Sequence, residues 1–217
     1  MFRGIKFPHL QVALDFKDIV DAKKVVKELK GLKGIVLEAG TPLIKAEGII
    51  SISLLREEWP DAFIVADMKA LDVGDFEAEI AAEGGADAAV VSGLAPVETI
   101  ESFILGCHRR GLLAYIDGIN QPNILKVLKA LKEKPDVVLL HRGIDEEARV
   151  GRDWSLIKKV KGSGFRVGMA GGLTPEEIRV GIGLNVDVFV VGRYITKAKD
   201  VRKAARECLD AFITTNI

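Results

Sequence analysis

Eight times along this chain a short β-branched apolar run gives way to a polar loop and then to a stretch of helical period. The runs occupy residues 10–14, 34–37, 63–66, 88–91, 113–116, 137–140, 166–169 and 188–191. They are almost continuously apolar instead of alternating, the pattern of parallel strands covered on both faces. Residues 22–29, 76–82, 97–110 and 175–183 carry the helical spacing between them. Successive runs start about 22 to 29 residues apart, the length of one strand–helix unit in a compact barrel. The sequence therefore predicts an α/β protein, a single (β/α)8 TIM barrel domain over residues 1–217. A doubly wound open sheet shares the alternation but needs a reversal of strand order at its ligand crevice, and eight evenly spaced units favour closure.

Helix ends agree with the count. Gly31, Gly84, Gly111 and Gly164 follow periodic stretches, as C-terminal cap glycines do. Thr174-Pro175-Glu176-Glu177 reads as an N-cap followed by proline at the first helical position.

Composition narrows the partners. With 217 residues, 48% of them apolar, the chain can bury a sizeable core. Thirty-one basic residues balance thirty-one acidic ones, which argues against a nucleic-acid surface and leaves room for a local anion site. Cys107 and Cys208 fall in helical stretches without metal-ligand spacing, and a reducing cytoplasm is the expected compartment. Residues 1–6 lack a signal-peptide apolar region, and no run approaches the roughly 20 residues needed to span a bilayer, so no membrane partner is expected.

In such barrels the chemistry sits at the carboxyl ends of the strands. The residues ending or following the runs are Asp15, Glu38, Asp67, Asp117, His141, Gly171 and Arg193, with none evident after the fourth. Each alone could be a solvated loop residue; four carboxylates, a histidine and an arginine on one rim make that reading poor for the set. Alternation at a strand end puts Asp67 and Lys69 on one side, where the lysine keeps its charge and can face a developing oxyanion. A surface ion pair is the plainer alternative. Asp72, in the loop beyond, could reach the lysine or a neighbouring subunit.

Glu38 and Asp67 are hard oxygen ligands on adjacent strands, a donor set suited to magnesium, or another hard divalent ion, completed by water and substrate. The residues alone leave the metal open. His141 is the one histidine at a strand end, where imidazole can move a proton near neutral pH. His9 precedes the first run and His108 lies in a basic helical stretch, so both read as structural or exposed. Ala170-Gly171-Gly172-Leu173-Thr174 and Gly192-Arg193 follow the last two runs and read as a phosphate grip, with backbone N–H groups approaching closely and Arg193 adding a charged fork.

Asp67, Lys69 and Asp72 form an Asp-x-Lys-x-x-Asp signature. With Gln11-Val12-Ala13-Leu14-Asp15 and Gly192-Arg193, it makes the chain resemble the orotidine monophosphate decarboxylase superfamily over nearly its whole length. The orotidine enzyme carries lysine on strand two and needs no metal. Glu38 in that place is similar to the magnesium-dependent branch of 3-hexulose-6-phosphate synthase and 3-keto-L-gulonate-6-phosphate decarboxylase. Residues 38–48 and 65–74 look most like archaeal hexulose phosphate synthases, including those fused to a formaldehyde-activating domain. His141-Arg142-Gly143-Ile144-Asp145 is similar to the strand-six segment of both enzymes. Asp117 resembles the synthase, since the gulonate enzyme has glutamate there. Ala70-Leu71, Ser92-Gly93-Leu94-Ala95 and Asp117-Gly118-Ile119-Asn120 differ from the synthase pattern, and Arg142 is similar to the gulonate enzymes, whose second arginine is replaced by Ile144.

The resemblance implies reversible condensation of ribulose 5-phosphate with formaldehyde through an enediolate. Magnesium on Glu38 and Asp67 would bind the sugar, His141 would transfer protons and Lys69 would stabilise the enediolate. Asp72 would act across a homodimer interface, as in the family. Asp15 would hold a sugar hydroxyl, Asp117 would support the reacting end, and Gly171, Gly172, Gly192 and Arg193 would hold phosphate. The keto-gulonate decarboxylase, the orotidine decarboxylase and a sugar-phosphate-binding barrel without turnover stay open as alternatives.

Overall fold

The computed structural model describes residues 5–143 and 154–213; Ile144 and Asp145 of the strand-six segment lie outside them. Eight parallel strands close in sequence order: β1 (His9–Leu14), β2 (Ile35–Ala39), β3 (Ile64–Ala70), β4 (Ala88–Ser92), β5 (Leu113–Asp117), β6 (Val137–His141), β7 (Arg166–Ala170) and β8 (Val188–Val191), with β8 returning to β1. The ring is closed, with no reversal of strand order, so the open-sheet alternative fails. Helices α1 (Ile19–Leu29), α2 (Thr41–Glu47), α3 (Ile50–Glu58), α4 (Gly74–Glu83), α5 (Val97–Arg109), α6 (Ile124–Ala130), α7 (Trp154–Gly162), α8 (Pro175–Gly183), α9 (Arg193–Thr196) and α10 (Val201–Asp210) occupy the connections and the carboxyl end. No helix of the described residues is long and apolar enough to cross a membrane.

Continuous apolarity along the strands hides an alternation that the structure separates into two layers. Leu10, Val12, Leu14, Ile64, Ala66, Ala114, Ile116 and Val138 pack outward against the helices. Ala13, Val36, Val65, Val90, Tyr115, Leu139 and Val190 fill the barrel interior. Each fully buried aliphatic side chain contributes about 1.5–3 kcal/mol relative to exposure, so both faces of every strand help to hold the ring. The inward parity, carried one step past the apolar residues, brings Glu38, Asp67, Asp117 and His141 to the carboxyl rim.

Several ends differ from expectation. Seven strands reach beyond the predicted apolar runs, and β3 extends through Asp67-Met68-Lys69-Ala70. His9 begins β1 and is buried, its ring 5.1 Å from that of Phe7, so it belongs to the barrel and not to the approach. Gly84 is right-handed at φ −65; Gly85 takes the left-handed turn at φ +86. Gly84 is needed for another reason, because a side chain there would press on Ile49. The opening of α8 is as expected, with Thr174 accepting from Glu177 N and Glu177 accepting in turn from Thr174 N.

The amino-terminal floor of the barrel carries a repeated tie. Asp87, Asp136 and Asp187 each stand directly before an even-numbered strand. Their carboxylates accept from the amides of Ile64, Ala114 and Val167 on the preceding odd strand at 2.8, 2.8 and 2.7 Å. Their own amides donate back to the carbonyls of those same residues, each at 2.8 Å. A basic side chain from the helix before the odd strand completes each tie: Arg56, His108 and Lys161. Between β1 and β2 the corresponding bond runs from Leu10 N to the carbonyl of Gly34.

Candidate active site

A cleft of about 550 Å3 opens over the carboxyl ends of the strands, a volume suited to a small metabolite. Asp15, Glu38, Asp67, Lys69 and His141 line it on one side, and Gly171, Gly172, Gly192 and Arg193 on the other. Nine of the eleven predicted site residues thus share one cavity. Asp117 lies beneath it, 1% exposed and bonded to two of the lining residues. Asp72 is exposed, and its carboxylate accepts from Val73 N instead of turning toward Lys69.

Lys69 owes its position to an irregular backbone. It sits at φ +46, and the pairing of β3 with β4 shifts register between Ala66 and Ala70. A left-handed conformation at a lysine stores about 1–3 kcal/mol of strain, of the kind that accumulates at functional sites. The contact expected from simple alternation is present, but a bulged strand end makes it. Lys69 Nζ reaches Asp67 at 2.8 and 3.0 Å and Asp117 at 2.7 Å. Dehydration works against its charge, yet Asp67 and Asp117 together raise its pKa above the ordinary value.

The same oxygen of Asp117 that meets Lys69 lies 2.9 Å from His141 Nδ1, and its other oxygen accepts from Ile119 N. Burial alone would raise the Asp117 pKa, but His141 and Lys69 reverse this and hold it at about 2. An ionised carboxylate can only accept, so Nδ1 of His141 carries the proton and Nε2 is the basic nitrogen of the neutral ring. This orients an acid–base group at the cleft floor.

Glu38 is buried, and its pKa stands well above the carboxylate range, first through dehydration and then through the charges of Asp67 and Asp15, despite the opposing Gln11 and Lys69. Asp15, at the solvent-reached lip, is also raised by dehydration and by Asp67, with Lys69, His141 and Arg193 opposing. Crowded carboxylates of this kind fit a hard cation, which would relieve their repulsion. Among the described residues no three His, Cys, Asp or Glu side chains form a cage. Two carboxylates with the remaining positions left to water and substrate is the ordinary magnesium arrangement.

The glycine loop is tightly built. Gly171 has φ +88, and a Cβ there would collide with the carbonyl of Arg142. Arg142 is absent from the cleft lining; it sits behind the loop, 3.9 Å from Glu177 of α8 and 3.5 Å from the Gly171 carbonyl. Sequence reasoning missed Thr41, whose hydroxyl donates to Asp67 Oδ2 at 2.7 Å, and Gln11, which donates to Glu38 at 2.5 Å. It also missed Ile119 and Tyr194 in the lining. Thr41 had a signal, standing three residues after Glu38 at a helix start; Gln11 is masked by the apolar run around it.

A closed parallel barrel with an acid–base floor, crowded carboxylates and glycine-rich last loops defines a (β/α)8 protein with a small-metabolite site of enzyme type. Residues 8–208 match the family described as Orotidine 5'-phosphate decarboxylase / HUMPS, and the chain belongs to it. The bifunctional enzyme Fae/Hps of Methanosarcina barkeri is 44% identical over 206 residues, which cover 94% of this chain and 52% of that protein. The chain spans about half the length of the curated relatives it matches. Among solved structures, a 3-hexulose-6-phosphate synthase superposes with a TM-score of 0.85 at 31% identity, covering 94% of this chain and 99% of that one. KGPDC from Streptococcus mutans, in complex with a sugar phosphate, gives 0.83 at 27% identity, covering 96% and 98%.

Proposed function

We propose that the chain is a 3-hexulose-6-phosphate synthase-like aldolase, reversibly joining ribulose 5-phosphate to formaldehyde. The observation that carries this is the chain of contacts from Asp67 through Lys69 and Asp117 to His141, which places an ammonium and an oriented imidazole over one cleft floor. Likeness to Fae/Hps and to a hexulose phosphate synthase supports the choice of reaction, and the sugar phosphate bound to KGPDC supports the ligand class.

Magnesium held by Glu38 and Asp67 would supply Lewis acidity at the sugar's carbonyl and adjacent hydroxyl. Nε2 of His141 takes the proton from the carbon beside the carbonyl, and Lys69 faces the enediolate oxygen as charge develops there. The enediolate carbon attacks formaldehyde, a carbon–carbon bond forms, and the former carbonyl electrons of formaldehyde end on an oxygen that is then protonated. Asp15 holds a sugar hydroxyl, and Gly171, Gly172, Gly192 and Arg193 hold the phosphate. Remote phosphate binding fixes the reacting carbons in place.

Asp72 serves a second copy of the chain. Its neighbours Leu71, Val73 and Phe76 are 59, 56 and 59% exposed, an apolar patch that a homodimer would cover. Buried free thiols at Cys107 and Cys208 support a reducing, cytoplasmic setting.

Formaldehyde loss from a mixture of protein, magnesium and ribulose 5-phosphate tests the reading. Consumption that needs both magnesium and the sugar phosphate is expected, and Glu38→Gln should abolish most of it while the circular dichroism of the fold persists. Carbon dioxide release from keto-gulonate 6-phosphate, without formaldehyde consumption, would move the assignment to the decarboxylase.

A further inference from the structure

Below Glu38 the barrel interior is not wholly apolar. Gln11 on β1 is fully buried, and its Nε2 donates to Glu38 Oε2 at 2.5 Å. Glu38 pairs in register with Ala13, so the amide reaches diagonally, one inward step up, from beneath the cleft to the carboxylate that lines it. Gln11 is not part of the lining and can meet a ligand only through Glu38.

The other end of this amide is uncompensated. Gln11 Oε1 is buried with no hydrogen-bond partner among the described residues, as are Nε2 of His9 and the hydroxyl of Tyr115. The register partners of Gln11 on the flanking strands are Val36 and Val190, both apolar and both buried. An aliphatic residue at position 11 would fit that layer without an orphaned acceptor. What the glutamine adds is one N–H aimed at Glu38. That donor is neutral, so it can hold the carboxylate without competing as a cation for it, as lysine or arginine would. With Oε2 held from below, the plane of the Glu38 carboxylate is fixed relative to the cleft.

We infer that Gln11 is a positioning residue, holding Glu38 in the orientation that binds a hard divalent cation. This rests on the metal reading of Glu38 and Asp67. Outer hydrogen bonds of this kind typically change metal affinity by about 10- to 100-fold when removed.

Mn2+ is the probe, its binding to the full chain followed by the paramagnetic resonance of the free ion, with thermal unfolding in parallel. Wild type, Glu38→Gln, Gln11→Met and Gln11→Leu are compared. Wild type should bind and Glu38→Gln should not. The two Gln11 variants should keep the wild-type Tm or exceed it, yet bind Mn2+ roughly 10-fold more weakly. The metal concentration for half-maximal turnover should rise in step, while KM for the sugar phosphate holds. Two apolar shapes are used so that failure of one to fold leaves the other. Wild-type Mn2+ affinity in a folded Gln11 variant overturns the positioning role and leaves the metal site standing. Loss of fold in both variants overturns it in favour of a structural glutamine. Absence of binding by wild type overturns the metal reading, and the role of Gln11 with it.

Discussion

One oxygen of Asp117 receives both Lys69 and His141, so this carboxylate sets the charge of one neighbour and the tautomer of the other. Asp117→Asn keeps the shape but lets His141 adopt either tautomer and leaves Lys69 to Asp67 alone. Turnover should fall about 100-fold or more with KM changed little, as steady-state kinetics would record. His9 answers a different question. Burial lowers its pKa from 6.5 to about 4, against the Lys6 carbonyl, Gln11 and Asp187. As pH falls the unfolded chain takes up this proton first, so the stabilisation is complete above about 6.5 and drains away toward pH 4, by roughly 3 kcal/mol. Denaturant unfolding across that range should show the slope, and His9→Phe should flatten it. Rim residues such as Asp117 and His141 were legible because a charge ending an apolar run declares itself. His9 and Gln11 were not, since at the head of or inside such a run nothing local distinguishes an inward side chain from an outward one.

At the level of strands and helices, the count and order were legible because periodicity changes from strand to helix with each unit. The strand ends were not. Apolarity stops where the site begins, but backbone pairing does not, so Glu38, Asp117 and His141 belong to strands that hydropathy cut short. The bulge at Lys69 was equally hidden, because nothing in the residue type announces a left-handed lysine. The aspartate ties of the floor were written in plain view, one Asp before each of β4, β6 and β8, but they lie at the strand ends opposite the cleft. Asp136→Ala removes the acceptor of Ala114 N and the partner of His108. It should cost about 1–3 kcal/mol in chemical denaturation while kcat is unchanged, since the tie lies at the far end of the barrel.

For the molecule as a whole, the floor holds the ring and the rim carries the chemistry. The patch of Leu71, Val73 and Phe76 is where the proposed second copy docks, and Asp72 points from the middle of it. Phe76→Glu should therefore give a monomer by sedimentation and lose most turnover, although no residue lining the cleft has changed. The floor has its own bearing on how the chain could be cut. Each tie spans a helix, the odd strand after it and the aspartate before the next even strand, so the ring is a string of two-stranded modules with seams between them. New termini opened at a seam, such as residues 93–96 between β4 and α5, leave all three ties on continuous chain. Termini opened between α4 and β4 would part Asp87 from Ile64 and hand their bond to the two far ends of a permuted sequence.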